Sequence, residues 1–231
     1  MYIYVVYAIE PAFYSPNNYG GSFVFPIGDS IDDEVSEPID IGFPFHYYGH
    51  EVHQVIVSSN GFLVFPGLSC VEDGCCDGLQ VTDDDCPSGF IAGLFTDLYD
   101  SDGTHIRYRV DGSAPRRVFV VGYTVGNCCD DETYQRFQIR LHETTNVIEV
   151  QYENVEPNND AISCGIQSPD GPFGSQFFYS DDGSNVFSTP RGVRYVPLVD
   201  CAARPESSVF CQKLTSTLRY KLDRDRTQPL P

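Results

Sequence analysis

Two-residue alternation, interrupted every few positions by Gly, Pro, Asn or Asp, constrains this chain more than any other feature of its sequence. Successive side chains of a strand point to opposite faces, so a period of two fits a half-buried strand and cannot line one face of a helix. Phe137, Ile139 and Leu141 alternate with Gln138 and Arg140, and Ile106, Tyr108 and Val110 alternate with His105, Arg107 and Arg109. Each pattern predicts one face in a core and the other in water, as in antiparallel sandwiches. The β-prone runs are 2–9, 22–25, 52–58, 61–65, 105–110, 117–124, 134–141, 147–152, 162–167 and 176–179. Val118 to Val121 is apolar without a break, which predicts a central strand covered on both faces. Ser59-Asn60-Gly61 and Glu143-Thr144-Thr145-Asn146 each separate two such runs as hairpin connections. Helical periodicity is nearly absent. The pattern predicts an all-β fold: a two-sheet antiparallel β-sandwich, jelly-roll-like, with disulfide-stapled loops and extended terminal strands.

Charge excludes some partners. The 231 residues include 14 basic and 33 acidic groups, a formal charge of −19. Such a chain repels phosphate backbones and anionic headgroups, so neither nucleic acid nor a membrane surface is expected as a partner. Residues 200–231 hold six basic and four acidic groups, leaving eight and 29 in residues 1–199. A lysine-free body of about −21 therefore carries a tail of about +2, which is suited to docking on an acidic surface, its own or a neighbour's.

Nine cysteines point to an oxidising compartment and a secreted or cell-surface protein. Cys70, Cys75, Cys76 and Cys86 lack the repeated C-x2-C spacing of a zinc knuckle and are expected to form two bridges in the 66–89 loop. Cys201 with Cys211 would be a third bridge, and Cys128, Cys129 and Cys164 would supply a fourth with one thiol left over. Sequence alone does not fix this connectivity. No basic and apolar leader opens the chain, as expected of a mature or trimmed secreted form.

The stretch Ile41-Gly42-Phe43-Pro44-Phe45-His46-Tyr47-Tyr48-Gly49-His50, followed by Val55-Ile56-Val57-Ser58-Ser59-Asn60-Gly61-Phe62-Leu63-Val64-Phe65, resembles the pattern of nidogen-like extracellular β-domains. Such domains occur in plexin-domain-containing receptors and microbial surface proteins. Phe90 to Leu98, Ile106 to Tyr108, Arg117 to Val121, Phe137 to Leu141, Ile148 to Val150 and Cys164 to Gln167 continue the resemblance in order, over roughly residues 22–180. The resemblance implies an extracellular β-sandwich used in adhesion or matrix assembly rather than catalysis. The chain departs from the pattern in having Gly122-Tyr123 and no tryptophan, and in its cysteine-rich 66–89 loop.

Three constellations could carry chemistry. Asp97, Asp100 and Asp102 precede Gly103 in a loop whose hard oxygen donors suit calcium, although the EF-hand register fails. No other cofactor is expected. His46, His50 and His53 fall within eight residues, but they flank a turn and are read as surface histidines rather than a zinc site. Tyr47, Tyr48 and Tyr99 lie in predicted turns, where exposed tyrosine can stack on glycans or contact other matrix proteins. No G-x-S-x-G elbow or other catalytic signature is present, so no enzyme activity is expected.

The ends complete the reading. Residues 1–20 form an amino-terminal strand or arm, 21–199 the nidogen-like sandwich, and 200–231 a basic strand-forming tail. Tyr2, Tyr4 and Val6 lie in a hydrophobic strand that must be inserted somewhere; Leu218, Tyr220 and Leu222 alternate with Arg219, Lys221 and Asp223 in a second strand. Either strand can pair within the chain or with a neighbour. Two edge-seeking ends fit a head-to-tail homopolymer, a fibre or sheath built by terminal strand exchange. The alternative is a monomeric, calcium-dependent adhesion or lectin-like module.

Overall fold

The computed structural model describes residues 3–12, 21–25, 31–71, 77–99, 105–127 and 130–198. Among the described residues there are fourteen strands: β1 Ile3–Ile9, β2 Ser22–Phe23, β3 Ile39–Tyr47, β4 His50–Val57, β5 Phe62–Val64, β6 Ile91–Phe95, β7 Leu98–Tyr99, β8 His105–Asp111, β9 Val118–Asn127, β10 Asp130–His142, β11 Ile148–Asn154, β12 Ile162–Gln167, β13 Gly174–Ser180 and β14 Arg191–Leu198. They form two antiparallel sheets. One runs β1-β14-β11-β10-β9-β8-β2, with β7 also pairing β9; the other runs β13-β12-β6-β5-β4-β3. Residues Ile3–Pro197 make one compact unit. The tail strand with Leu218, Tyr220 and Leu222 lies outside the described residues, as does Tyr2.

The inward residues of the two sheets form the main core. Phe137, Ile139 and Leu141 are buried as the alternation predicts, facing Ile91, Leu94 and Cys164 among others in one cluster. A Cβ on Gly93 of β6 would lie 2.8 Å from Ile139 and Phe137 side-chain atoms, so glycine there lets the sheets approach closely. Large tyrosines fill the core where tryptophan is absent, and their hydroxyls find backbone partners. Tyr123 Oη donates to the Ser58 carbonyl (3.1 Å), Tyr152 Oη to that of Gly93 (2.6 Å). Both groups would be costly to bury unpaired.

A second, smaller core lies on the other face of β5 and β6, where Phe62, Val64, Ala92 and Phe95 pack with Phe90 and Val81. Its cover includes part of the cysteine-rich loop, with Val71 and Leu79 against the cluster. Cys70 and Cys86 are joined in a disulfide. Gln167 pins the same loop by donating from Nε2 to the Asp83 carbonyl (2.7 Å) and accepting at Oε1 from Gly89 N–H (2.8 Å).

Both hairpins fall where the turn chemistry places them, and β9 is central, flanked by β8 and β10. Four strands, β3, β6, β14 and the two-residue β7, escape the sequence reading. β3 contains Gly42 and Pro44, which read as breakers, yet Ile41, Phe43, Phe45 and Tyr47 all face inward. β3 is an edge strand, where proline is tolerated. β6 is short and buried throughout, and β14 carries two arginines and a proline. One further expectation is corrected. Gln138 is 0% and Arg140 6% exposed, so the face of the eight-stranded sheet read as wet is covered at its centre.

Candidate functional site

The amino-terminal strand occupies a built slot. β1 lies next to β14 at one end of the eight-stranded sheet, and Tyr4 is buried. Its ring centre lies 4.9 Å from that of Tyr48 and 6.2 Å from that of Tyr47, distances typical of tilted aromatic pairs. Across the gap, Ser175 Oγ of β13 donates to the Tyr4 carbonyl (3.0 Å). Just beyond the strand, both backbone polar groups of Ala12 are held by side chains of the eight-stranded sheet. Ala12 N–H donates to Gln151 Oε1 (3.0 Å), and Arg140 Nη2 donates to the Ala12 carbonyl (2.8 Å).

This clamp is organised by Glu149. Its Oε1 accepts from Arg140 Nη1 (3.1 Å) and Gln151 Nε2 (2.6 Å), and its Oε2 accepts from Arg194 Nη2 (2.7 Å). Arg140 also donates to Gln138 Oε1 (2.9 Å). Burial works against the Glu149 charge. Hydrogen bonding from His142, Arg194 and Gln151, with the Arg194 charge, outweighs it and holds the carboxyl down to about 2. The covered face is thus a polar network that grips the backbone of residue 12, rather than a wet surface.

A second cluster forms where the Asp32-Asp33 bend meets the β4–β5 hairpin. One carboxylate oxygen from each of Asp32, Asp33 and Asp97 lies within 4.8 Å of the others. Asn60 joins the two sides: its Nδ2 donates to Asp33 Oδ1 (2.8 Å), and its Oδ1 accepts from Leu98 N–H (3.0 Å). Asp33 has a φ of +54°, and Asp32 bridges Tyr99. Converging carboxylates at this spacing repel by ~1 kcal/mol per pair even at the dielectric of water, and a hard cation relieves that repulsion.

The family model described as NIDO related matches residues 7–192, about four-fifths of the chain. The chain belongs to this nidogen-related family. No curated protein and no solved structure gives a match. The match starts inside β1 and ends inside β14, so it spans the strands that flank the slot and both sides of the acidic cluster. In this nidogen-related chain the Ser58-Ser59-Asn60-Gly61 motif has a clear structural use. Ser59 Oγ accepts from Glu34 N–H (2.9 Å) and Asn60 binds Asp33, so the motif docks the Asp32–Glu34 segment.

The structure redistributes the residues expected at a site. Asp97 meets Asp32 and Asp33, which the sequence reading did not select; Asp100 and Asp102 lie outside the described residues. The acidic run Asp32-Asp33-Glu34 was a visible signal, but its partner across 64 positions was not. Tyr47 and Tyr48 are not surface aromatics: they are 0% and 6% exposed. β3 extends through Tyr47 on its inward face, and Tyr48, at a φ of +48°, turns its ring onto Tyr4. Tyr47 Oη sits between the carbonyls of Phe90 (2.8 Å) and Gln167 (2.6 Å). Tyr99 is half-buried in β7. Val6 is half-buried and packs against the main core. Cys164 is a free, buried thiol rather than a disulfide partner, because β12 turns it into the core beside Tyr152. Burial pushes that thiol up to about 12. Cys75, Cys76, Cys128, Cys129, Cys201 and Cys211 lie outside the described residues.

Proposed function

We propose that this nidogen-related chain is a secreted, non-catalytic structural protein whose copies join head to tail by exchanging a terminal strand. The observation that carries the reading is the slot of β1. The strand is held by a buried anchor, Tyr4, and a backbone clamp at Ala12. The same contacts would accept the strand of a second copy, which is strand addition at a sheet edge. Two of the other described edges, β2 and β3, are guarded. β2 has two residues, and β3 carries Pro44 while Arg117 Nη1 donates to its Gly42 carbonyl (2.6 Å) and Asn146 Oδ1 accepts from His46 N–H (2.9 Å). The Cys70–Cys86 disulfide and the family support an extracellular location.

Size-exclusion chromatography with light scattering tests the reading. The full chain is expected to form dimers and larger species as concentration rises toward the millimolar range, and Tyr4→Ala to shift that series toward monomer. A chain that stays monomeric throughout sinks the proposal. Repeating the run without residues 212–231 separates exchange of β1 from exchange of the tail.

The acidic cluster favours a second reading, a calcium-dependent adhesion module that contacts glycans or other matrix proteins. Asp32, Asp33 and Asp97 offer three of the six to eight oxygens that calcium takes. Calcium is expected to raise the melting temperature, and Asp33→Asn with Asp97→Asn to remove the rise. An unchanged melting curve in excess calcium discards this reading.

A further inference from the structure

β1 is gripped unevenly along its length, and the pattern of grip defines what the slot accepts. Tyr4 is buried, Val5, Val6 and Ile9 are half-buried, and Tyr7, Ala8 and Glu10 are exposed. Tyr4 and Val6 share one face of the strand: Tyr4 lies against Tyr48, and Val6 packs on the main core. Ile9 belongs to the opposite face and lies over Gly192 of β14. A Cβ on Gly192 would come within 2.6 Å of Ile9 Cγ1 and 2.9 Å of Gln151 Oε1. The Gly192 backbone is not left-handed, so the space, not the conformation, requires glycine there. Gln151 has no slack to give, since its Oε1 accepts from Ala12 N–H (3.0 Å) and its Nε2 donates to Glu149 Oε1 (2.6 Å). Gly192 is therefore a notch that Ile9 fills beside the backbone clamp.

We infer that the slot is a peptide-binding groove that reads sequence and spacing at three points: an aromatic pocket for Tyr4, the Gly192 notch for Ile9, and the clamp for the backbone of Ala12. The chemistry of the occupant follows from these points. The pocket takes a tyrosine, whose ring tilts onto Tyr48 and whose hydroxyl donates to the His46 carbonyl (3.4 Å). The notch takes a branched aliphatic side chain. The clamp needs a backbone N–H, so it rejects proline and reads no side chain. Tyr7 and Ala8 face outward and are not read. Spacing is as selective as composition, because one residue inserted between Tyr4 and Ile9 turns every later side chain to the other face. Met1 to Ile9 carries no charged side chain, which suits a strand lodged between two sheets. The occupant is residues 1–12 of a second copy, so the inference rests on the strand-exchange reading for its partner. Main-chain contacts would supply affinity and the two side-chain sites specificity, as in strand addition generally.

Fluorescence anisotropy tests the inference with synthetic peptides of residues 2–13, tagged at the carboxyl end. They are titrated with the full-length chain carrying Tyr4→Ala, which loosens its own strand. The parent peptide is expected to bind. Tyr4→Ala, Ala12→Pro and a glycine inserted after Tyr7 should each weaken the peptide roughly tenfold or more, and Tyr7→Ala less than about twofold. Ile9→Ala should weaken it roughly threefold or more. A second full-length chain, with Gly192→Ala added, should reverse that last order and prefer the Ile9→Ala peptide, a coupling that only direct contact produces. Circular dichroism checks that each chain is folded, and Val6→Ala replaces Tyr4→Ala if the latter unfolds. No binding of the parent peptide, equal losses at Tyr4 and Tyr7, or no reversal on Gly192→Ala overturns the inference. Selective binding by a chain that stays monomeric in chromatography keeps the groove and discards head-to-tail assembly. Oligomers with unselective peptide binding do the opposite.

Discussion

Gly61 shows how a single residue fixes the approach of two elements. Its φ is +81°, and a Cβ there would collide with the Leu94 carbonyl oxygen. The Gly61 carbonyl meanwhile accepts from the N–H groups of Gly93 (3.0 Å) and Leu94 (3.2 Å), so the hairpin turn is seated directly on β6. Both the conformation and the space exclude a side chain. Gly61→Ala is expected to cost ~3 kcal/mol or more, since backbone strain adds to a steric shift in a packed core. Urea unfolding of the two chains measures this, and a loss under ~1 kcal/mol would contradict the close approach. The requirement for glycine was legible in the Asn60-Gly61 pair. The burial of Tyr47 and Tyr48 was not, because a tyrosine beside a glycine turn reads as a surface residue. Only the fold reveals the Phe90 and Gln167 carbonyls that satisfy the Tyr47 hydroxyl.

Strands show the same division. The inward halves of β9, β10 and β11 follow directly from alternation, because apolar burial is periodic along a strand. Their outward halves do not. Glu149, Gln151 and Arg140 spell a solvated face in sequence, yet they form a covered network that holds Ala12. What covers a face comes from a distant part of the chain, here more than 120 residues away, and a local pattern carries no trace of it. The network makes an acid-sensitive element. Glu149 is held at about 2 in the fold, below the ~4.3 of an unperturbed glutamate. A depressed carboxyl stabilises the fold above its unfolded value, and this contribution disappears as pH falls from about 4.3 through about 2. Its size is about 3 kcal/mol, as the side chain is nearly inaccessible. Glu149→Gln should therefore be less stable than the parent at pH 6, and the gap should shrink by most of that amount at pH 2. A constant gap across this range would show that the carboxylate's charge is not what organises the clamp.

For the molecule as a whole, charge sets the terms on which copies meet. A net formal charge of −19 on each chain opposes association at long range, while strand exchange needs only a local fit at the slot. The two act over different ranges. At ~0.01 M salt the screening length is about 30 Å, comparable to the size of a small domain, so whole-molecule repulsion is felt before any edge is reached. At ~0.15 M it is about 8 Å, and encounter is governed by what lies at the contact. Mixing equal amounts of nitrogen-14 and nitrogen-15 labelled chain, and following mixed oligomers by native mass spectrometry, reads this directly. Mixed species should form roughly tenfold faster or more at the higher salt, because neutral encounter rates lie well above those between strongly like-charged partners. The basic tail makes the opposite result meaningful. If residues 200–231, at about +2, dock on a neighbour's acidic body of about −21, that attraction is screened and exchange slows as salt rises. Faster exchange at high salt assigns the recognition to the uncharged contacts around Tyr4 and Ala12; slower exchange assigns it to the tail and contradicts the β1 slot as the determinant of encounter.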